Sequence, residues 1–113
     1  PYSINLFSEL AAELALEEFD QLQRFVREII RQRDELAPRL REFSFLRVYP
    51  SDANFILVRA QSGAALFQWL LREGILARDV SGYPGLENCL RLSVGTAEQN
   101  RKLLESLKRF ALA

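Results

Sequence analysis

The chain has 113 residues, a hydrophobic share of 49%, and 15 basic residues balanced by 15 acidic ones. This is the composition of one globular domain rather than a disordered tail, and zero net charge removes a global electrostatic drive toward nucleic acid or acidic lipid. With no histidine and a single cysteine, Cys89, the sequence excludes Ser-His-Asp and Cys-His catalysis, histidine-based and four-cysteine zinc sites, and an internal disulfide.

From Leu6 to Phe43, apolar residues recur at three- and four-residue steps, which predicts helix. The stretch is too long for one ordinary helix, and the apolar face shifts near Glu17 to Asp20, so two helices or one bent helix are expected. Pro38 lacks an amide proton and is expected to kink or end the second one nearby. Phe45 to Tyr49 alternates as a strand, Pro50-Ser51-Asp52 has turn chemistry, and Asn54 to Arg59 predicts a second strand of the same hairpin. The run Phe55-Ile56-Leu57-Val58 is apolar at every position, which predicts cover on both faces.

Ser62 is a helix cap for Gly63 to Glu73, and Gly74 followed by Ile75 fits a helix C-terminus. Ile75 to Arg78 reads as a short strand and Asp79 to Glu87, with Gly82, Pro84 and Gly85, as a loop. Cys89 to Val94 predicts the last strand, with Leu90, Leu92 and Val94 on one face and Cys89, Arg91 and Ser93 on the other. Thr96 and Gln99 form a capping box for a final helix that turns Leu103, Leu104, Leu107 and Phe110 inward. The fold class that follows is α/β (α+β), in the order α-α-β-β-α-β-β-α, with a small, mostly antiparallel sheet and helices packed on one face. No linker or repeat divides residues 1–113.

No apolar run approaches the roughly 18 residues of a membrane span, and residues 1–10 show no basic stretch followed by an apolar core. With one cysteine, these features fit a cytoplasmic protein. The chain begins at Pro1 and has no methionine. A piece of a longer polypeptide is therefore expected.

Few residues are placed to do chemistry. Arg91 sits mid-strand, opposite the apolar face, where a guanidinium fork on a rigid element suits a carboxylate or phosphate. A surface arginine or an ion pair is the plainer alternative. Arg78 ends a strand before a Gly/Pro loop, with Asp79 or Glu73 as available ion-pair partners. Tyr2 and Tyr83 are loop hydroxyl donors, with packing against Pro84 and Gly85 an equal alternative for Tyr83. The only lysines, Lys102 and Lys108, lie on the polar face of the last helix, where an amine stays solvated and charged, so neither suits a Schiff base. Cys89 reads as an inert thiol. Arg24, Arg27 and Arg31 share a helix face, but interspersed acids such as Glu28 make it a solvated face.

Three segments together resemble the C-terminal part of the histidinol-phosphate aminotransferases, pyridoxal-phosphate (PLP) enzymes of the aspartate aminotransferase fold type. They are PYSIN at Pro1 to Asn5, PSDANFILVR at Pro50 to Arg59, and GILARDVSGYPGLENCLRLSVGT at Gly74 to Thr96. Ser3, where the family often has Asn, and Pro38 depart from the pattern. The resemblance implies a C-terminal small domain whose large PLP-binding domain, with the cofactor lysine, lies outside these residues. It implies transamination of L-histidinol phosphate with 2-oxoglutarate, giving imidazole-acetol phosphate and L-glutamate, in histidine biosynthesis.

The resemblance also assigns Arg91 to the substrate carboxylate and phosphate and Arg78 to the phosphate; Tyr2, Asn54 and Tyr83 are further candidates for lining the site. PLP is expected in the intact enzyme and not on this segment alone. The implied partners are the small-molecule substrates, the large domain, and a second copy in a homodimer; no nucleic acid or membrane is implied. Three alternatives stand beside this: a stand-alone α/β module binding an anionic metabolite through the same arginines, an aminotransferase for aromatic amino acids, and nucleic-acid binding through residues 24–41.

Overall fold

The computed structural model describes residues 19–51 and 54–113. The helix expected from Leu6 to the break near Glu17, and Tyr2, lie outside the described residues. Three helices and four strands follow: α1 (Phe19–Arg41), β1 (Leu46–Val48), β2 (Phe55–Ala60), α2 (Gly63–Arg72), β3 (Ala77–Asp79), β4 (Cys89–Ser93) and α3 (Ala97–Leu112). The strand order is β1-β2-β4-β3, and every pairing is antiparallel. β1 and β2 form the expected hairpin. β2, α2 and β3 form a crossover whose two strands are parented apart by β4, which slots between them.

Strand alternation divides the sheet into two faces. Ile56, Val58, Ala60, Leu90 and Leu92 turn to one side and are buried against Leu36 and Leu40 of α1, Leu66 and Leu70 of α2, and Leu103 and Leu107 of α3. All three helices therefore cover this face. The other face carries Arg47, Phe55, Leu57, Arg59, Cys89 and Arg91 by the same alternation. Here the structure corrects the reading of β2 as covered on both sides. Phe55 and Leu57 are only half-buried, because no layer of the described residues covers their face. An apolar run is compatible with lining a cavity as well as with a second packed layer.

Pro38 lies inside α1, and the helix continues three residues beyond it to Arg41. A proline this close to the end removes one bond of the last turn, and the buried Leu36 and Leu40 on either side anchor that turn to the core. The first half of α1 differs. Phe19, Leu22, Phe25, Val26 and Ile30 are exposed, Phe25 by 63%. Arg24, Arg27 and Arg31 on this helix bond to Asp20, Gln23, Glu28 and Glu35, as expected of a solvated charged face.

α2 begins at Ser62, whose hydroxyl accepts from the Ala65 amide, and ends in a Schellman motif. In that motif the Ile75 amide donates to the Leu70 carbonyl and the Gly74 amide to the Leu71 carbonyl, with Gly74 at φ +72°. α3 begins with the reciprocal Thr96–Gln99 capping box. Between α2 and α3, Trp69 Nε1 donates to Ser106 Oγ at 3.0 Å, and the Ser106 hydroxyl donates to Glu73 Oε1 at 2.9 Å. Arg109 pairs with the same carboxylate. The hydrogen bond from Arg109, then that from Ser106, holds the Glu73 carboxyl below the usual carboxylate range. A depressed carboxylate stabilises the fold above its unfolded pKa, and that contribution is lost as the pH falls through the folded value. Glu73→Gln should therefore lower the thermal midpoint at neutral pH and match the parent protein in acid. An equal deficit at every pH would refute the ionic contribution.

Gly63 is fixed by contact rather than by its dihedrals. A Cβ there would stand 2.7 Å from Asn88 Cα and 2.8 Å from the Asn88 carbonyl carbon. Asn88 is held at φ +62°, its side-chain oxygen accepting from the Gly63 amide at 3.0 Å and its carbonyl from the Ala60 amide. The start of α2 is thus pressed against the residue that leads into β4. Gly63→Ala must move backbone and should cost about 1–3 kcal/mol in a urea melt. A midpoint unchanged from the parent would contradict the close contact.

Candidate anion site on the open sheet face

β3 and β4 pair so that Arg78 stands directly opposite Arg91. Directly opposite residues on adjacent strands share a face, with Cβ atoms about 4.5–5.5 Å apart. Leu57 of β2 is the partner of Arg91 on its other side. The three strands therefore carry Leu57, Arg91 and Arg78 in one row. Arg91 lies over the Phe55 ring, its guanidinium carbon 4.4 Å from the ring centroid. A guanidinium over an aromatic face is held there by cation–π attraction.

Phe55, Leu57, Arg78, Val80, Tyr83, Leu86 and Arg91 line a cavity of about 340 Å³. Its walls are apolar and its charges are the two arginines, with no acidic residue in the lining. Like charges directly opposite each other are unfavourable without a counter-ion. Among the described residues no carboxylate pairs with either arginine. The two acids nearest Arg78 in sequence are engaged elsewhere. Glu73 takes Arg109 and Ser106, and Asp79 accepts from the Ser81 amide at 2.9 Å. Hydrogen bonds from the Ser81 side chain and amide hold the Asp79 carboxyl below its usual range. The ion-pair alternatives open for Arg78 in the sequence are thus absent among the described residues.

The structure brings Arg78, Arg91 and Tyr83 together. Asn54 does not line this cavity: it is exposed, and its carbonyl accepts the Val94 amide at 2.9 Å, extending the β2–β4 ladder. Phe55, Leu57, Val80 and Leu86 also line the site and were not singled out in the sequence. Phe55 and Leu57 stood out only as part of an apolar run, which predicted cover on both faces rather than a cavity wall. Val80 and Leu86 carry no such signal, since each is an isolated apolar residue in a loop.

The described residues hold no cluster of metal-ligating side chains, and no described helix is long and apolar enough to cross a membrane. Lys102 and Lys108 are exposed on α3, in the helical layer across the sheet from the arginines.

The described residues form a β-α-β crossover with an inserted antiparallel strand, and its open face carries two arginines that have no carboxylate partner among them. The chain belongs to the aminotransferase class I and II family, whose pattern matches residues 2–107. It is 41% identical over 111 residues to the histidinol-phosphate aminotransferase of Chromobacterium violaceum, an alignment covering 97% of this chain and 31% of that protein. The crystal structure of the histidinol-phosphate aminotransferase from Clostridium acetobutylicum superposes with a TM-score of 0.86 at 31% identity, over 97% of this chain and 34% of that one. The L-threonine-O-3-phosphate decarboxylase of Porphyromonas gingivalis superposes with a TM-score of 0.77 at 27% identity, over 91% of this chain and 33% of that one. The chain thus spans about a third of the length of the proteins it resembles. The family is generally PLP-dependent, but this chain's residues do not fit the cofactor's covalent anchor, since both of its lysines are exposed on α3.

Proposed function

We propose that this chain is the C-terminal small domain of a PLP-dependent aminotransferase and grips the substrate's anionic group through Arg78 and Arg91. The observation that carries this reading is the direct opposition of Arg78 and Arg91, without a carboxylate partner, over an apolar cavity. Two guanidinium forks on adjacent strands, Arg91 half-buried and Arg78 exposed, present several N–H donors to one phosphate or carboxylate. Tyr83, 58% exposed at the rim, offers a further donor. The cofactor supplies the electron sink when bound, and the residues here bind and orient.

The proposed substrate is L-histidinol phosphate, with 2-oxoglutarate as amino acceptor, in histidine biosynthesis. Relatives named for histidinol phosphate and for threonine phosphate share a phosphate ester, and the arginine pair matches that common group. The rest of the polypeptide would pack on the exposed stripe of Phe19, Leu22, Phe25, Val26 and Ile30, since the relatives are about three times as long as this chain.

The test is transamination by the complete polypeptide with histidinol phosphate, histidinol and phenylalanine. Turnover of the phosphate ester with roughly a thirtyfold or greater preference over histidinol is expected, since losing a hydrogen-bonded charged partner costs about 2 kcal/mol or more. Equal turnover of histidinol would refute the phosphate reading, and preference for phenylalanine would place the protein among the aromatic aminotransferases.

A further inference from the structure

Given the anion site proposed above, on which this inference rests, we infer that Arg59 is a positioning residue that clamps the loop forming one wall of that site. Arg59 lies on β2, on the open face, opposite Cys89 of β4 and Arg47 of β1. Its Nη2 donates to the Gly85 carbonyl at 2.7 Å, a bond between residues 26 positions apart. Its Nε donates to the buried Cys89 Sγ at 3.3 Å. The side chain is therefore committed on two edges, one to the strand that carries Arg91 and one to the loop at residues 80–88.

That loop contributes Val80, Tyr83 and Leu86 to the cavity. Asn88 anchors the end of the loop to Ala60 and Gly63, and the Val80 amide donates to the Cys89 carbonyl, but the bonds nearer the tip are short-range, with the Tyr83 amide donating to the Val80 carbonyl and the Leu86 amide to the Tyr83 carbonyl. Tyr83, Pro84 and Gly85 are exposed, so little packing fixes the tip. The charge-assisted bond from Arg59 ties that tip to the central strand β2. A guanidinium in the sheet thereby fixes the distance between the arginine row and the Tyr83–Leu86 wall. Arg59 is not itself an anion ligand in this account, since it does not line the cavity.

The test compares Arg59→Met, Arg59→Lys and Arg47→Met by amide hydrogen exchange and by titration with inorganic phosphate. Arg47→Met is the charge control: it removes one positive charge from the same face, next to Arg59, without touching the loop. Arg59→Met is expected to speed exchange of the Tyr83 and Leu86 amides by about tenfold or more, as loss of a charge-assisted bond implies, with the α2 amides unchanged. Phosphate affinity should fall roughly three- to tenfold through the displaced wall. Arg59→Lys retains a donor for Gly85 and should recover most of both effects, and Arg47→Met should change neither by more than about twofold.

Unchanged loop exchange in Arg59→Met overturns the clamp. Faster exchange with unchanged phosphate affinity overturns the link to the site. An Arg47→Met loss of affinity as large as that of Arg59→Met shows charge alone at work and also overturns it. If the parent protein itself fails to bind phosphate, the anion-site reading falls and the positioning role with it, and the exchange data then report separately on whether the loop is clamped.

Discussion

Replacing Arg91 with alanine in the complete polypeptide is expected to lower kcat/KM for the phosphate substrate by about 30- to 4000-fold, the equivalent of about 2–5 kcal/mol. Three features of Arg91 set this magnitude. It is half-buried on a central strand, it lies over the Phe55 ring, and it faces Arg78 with no carboxylate partner among the described residues. Arg91→Lys should recover only part of the loss, because an ammonium keeps the charge but not the fork or the stacking. The stability of the fold should hardly change. The alanine variant loses a cation–π contact of about 0.5–1 kcal/mol and is relieved of the repulsion from Arg78. A urea midpoint within about 1 kcal/mol of the parent, alongside the collapse in kcat/KM, is the expected pair of results. Full activity in Arg91→Ala would remove Arg91 from the substrate site.

The next residue on the strand gives the opposite outcome. Leu92 points to the helical side and is 1% exposed, packed in the cluster with Ile56, Leu103 and Leu107. Leu92→Ala removes buried methyl groups and leaves a cavity that the surrounding strands and helices fill only in part, so a cost of about 2–5 kcal/mol is expected. That is a large share of the stability of a domain this size. Urea unfolding is the measurement, and a cost below about 1 kcal/mol would contradict the close packing of this face. Adjacent residues on one strand thus separate into binding and stability, and the alternation of β4 is the cause.

That alternation was legible in the sequence. Leu90, Arg91 and Leu92 announce a strand with one apolar and one charged face, and Ser62, Gly74 and the Thr96–Gln99 pair mark helix ends through local hydrogen bonds. Each of these signals lies within a few residues of the atoms it controls. Strand ends moved by one or two residues: Asp79 joins β3, and β2 begins at Phe55 and reaches Ala60. Register was not legible. A period of two assigns a side chain to a face but does not name its neighbour across the ladder, so the opposition of Arg78 and Arg91 rests on the insertion of β4 between β2 and β3. Arg59 was invisible for the same reason, since its tie to Gly85 needs the loop folded back over the sheet. The apolar run of β2 misled because periodicity does not distinguish cover by protein from the wall of a cavity.

The central claim is that Arg78 and Arg91 hold one anion between them. The most direct measurement follows the Nε–Hε resonances of both arginines by NMR while inorganic phosphate is added. Both resonances are predicted to shift along one saturating curve with a common midpoint, and Arg78→Ala should weaken the response of Arg91. Two unrelated midpoints, or an Arg91 signal indifferent to phosphate, would show that the arginines do not form a single site.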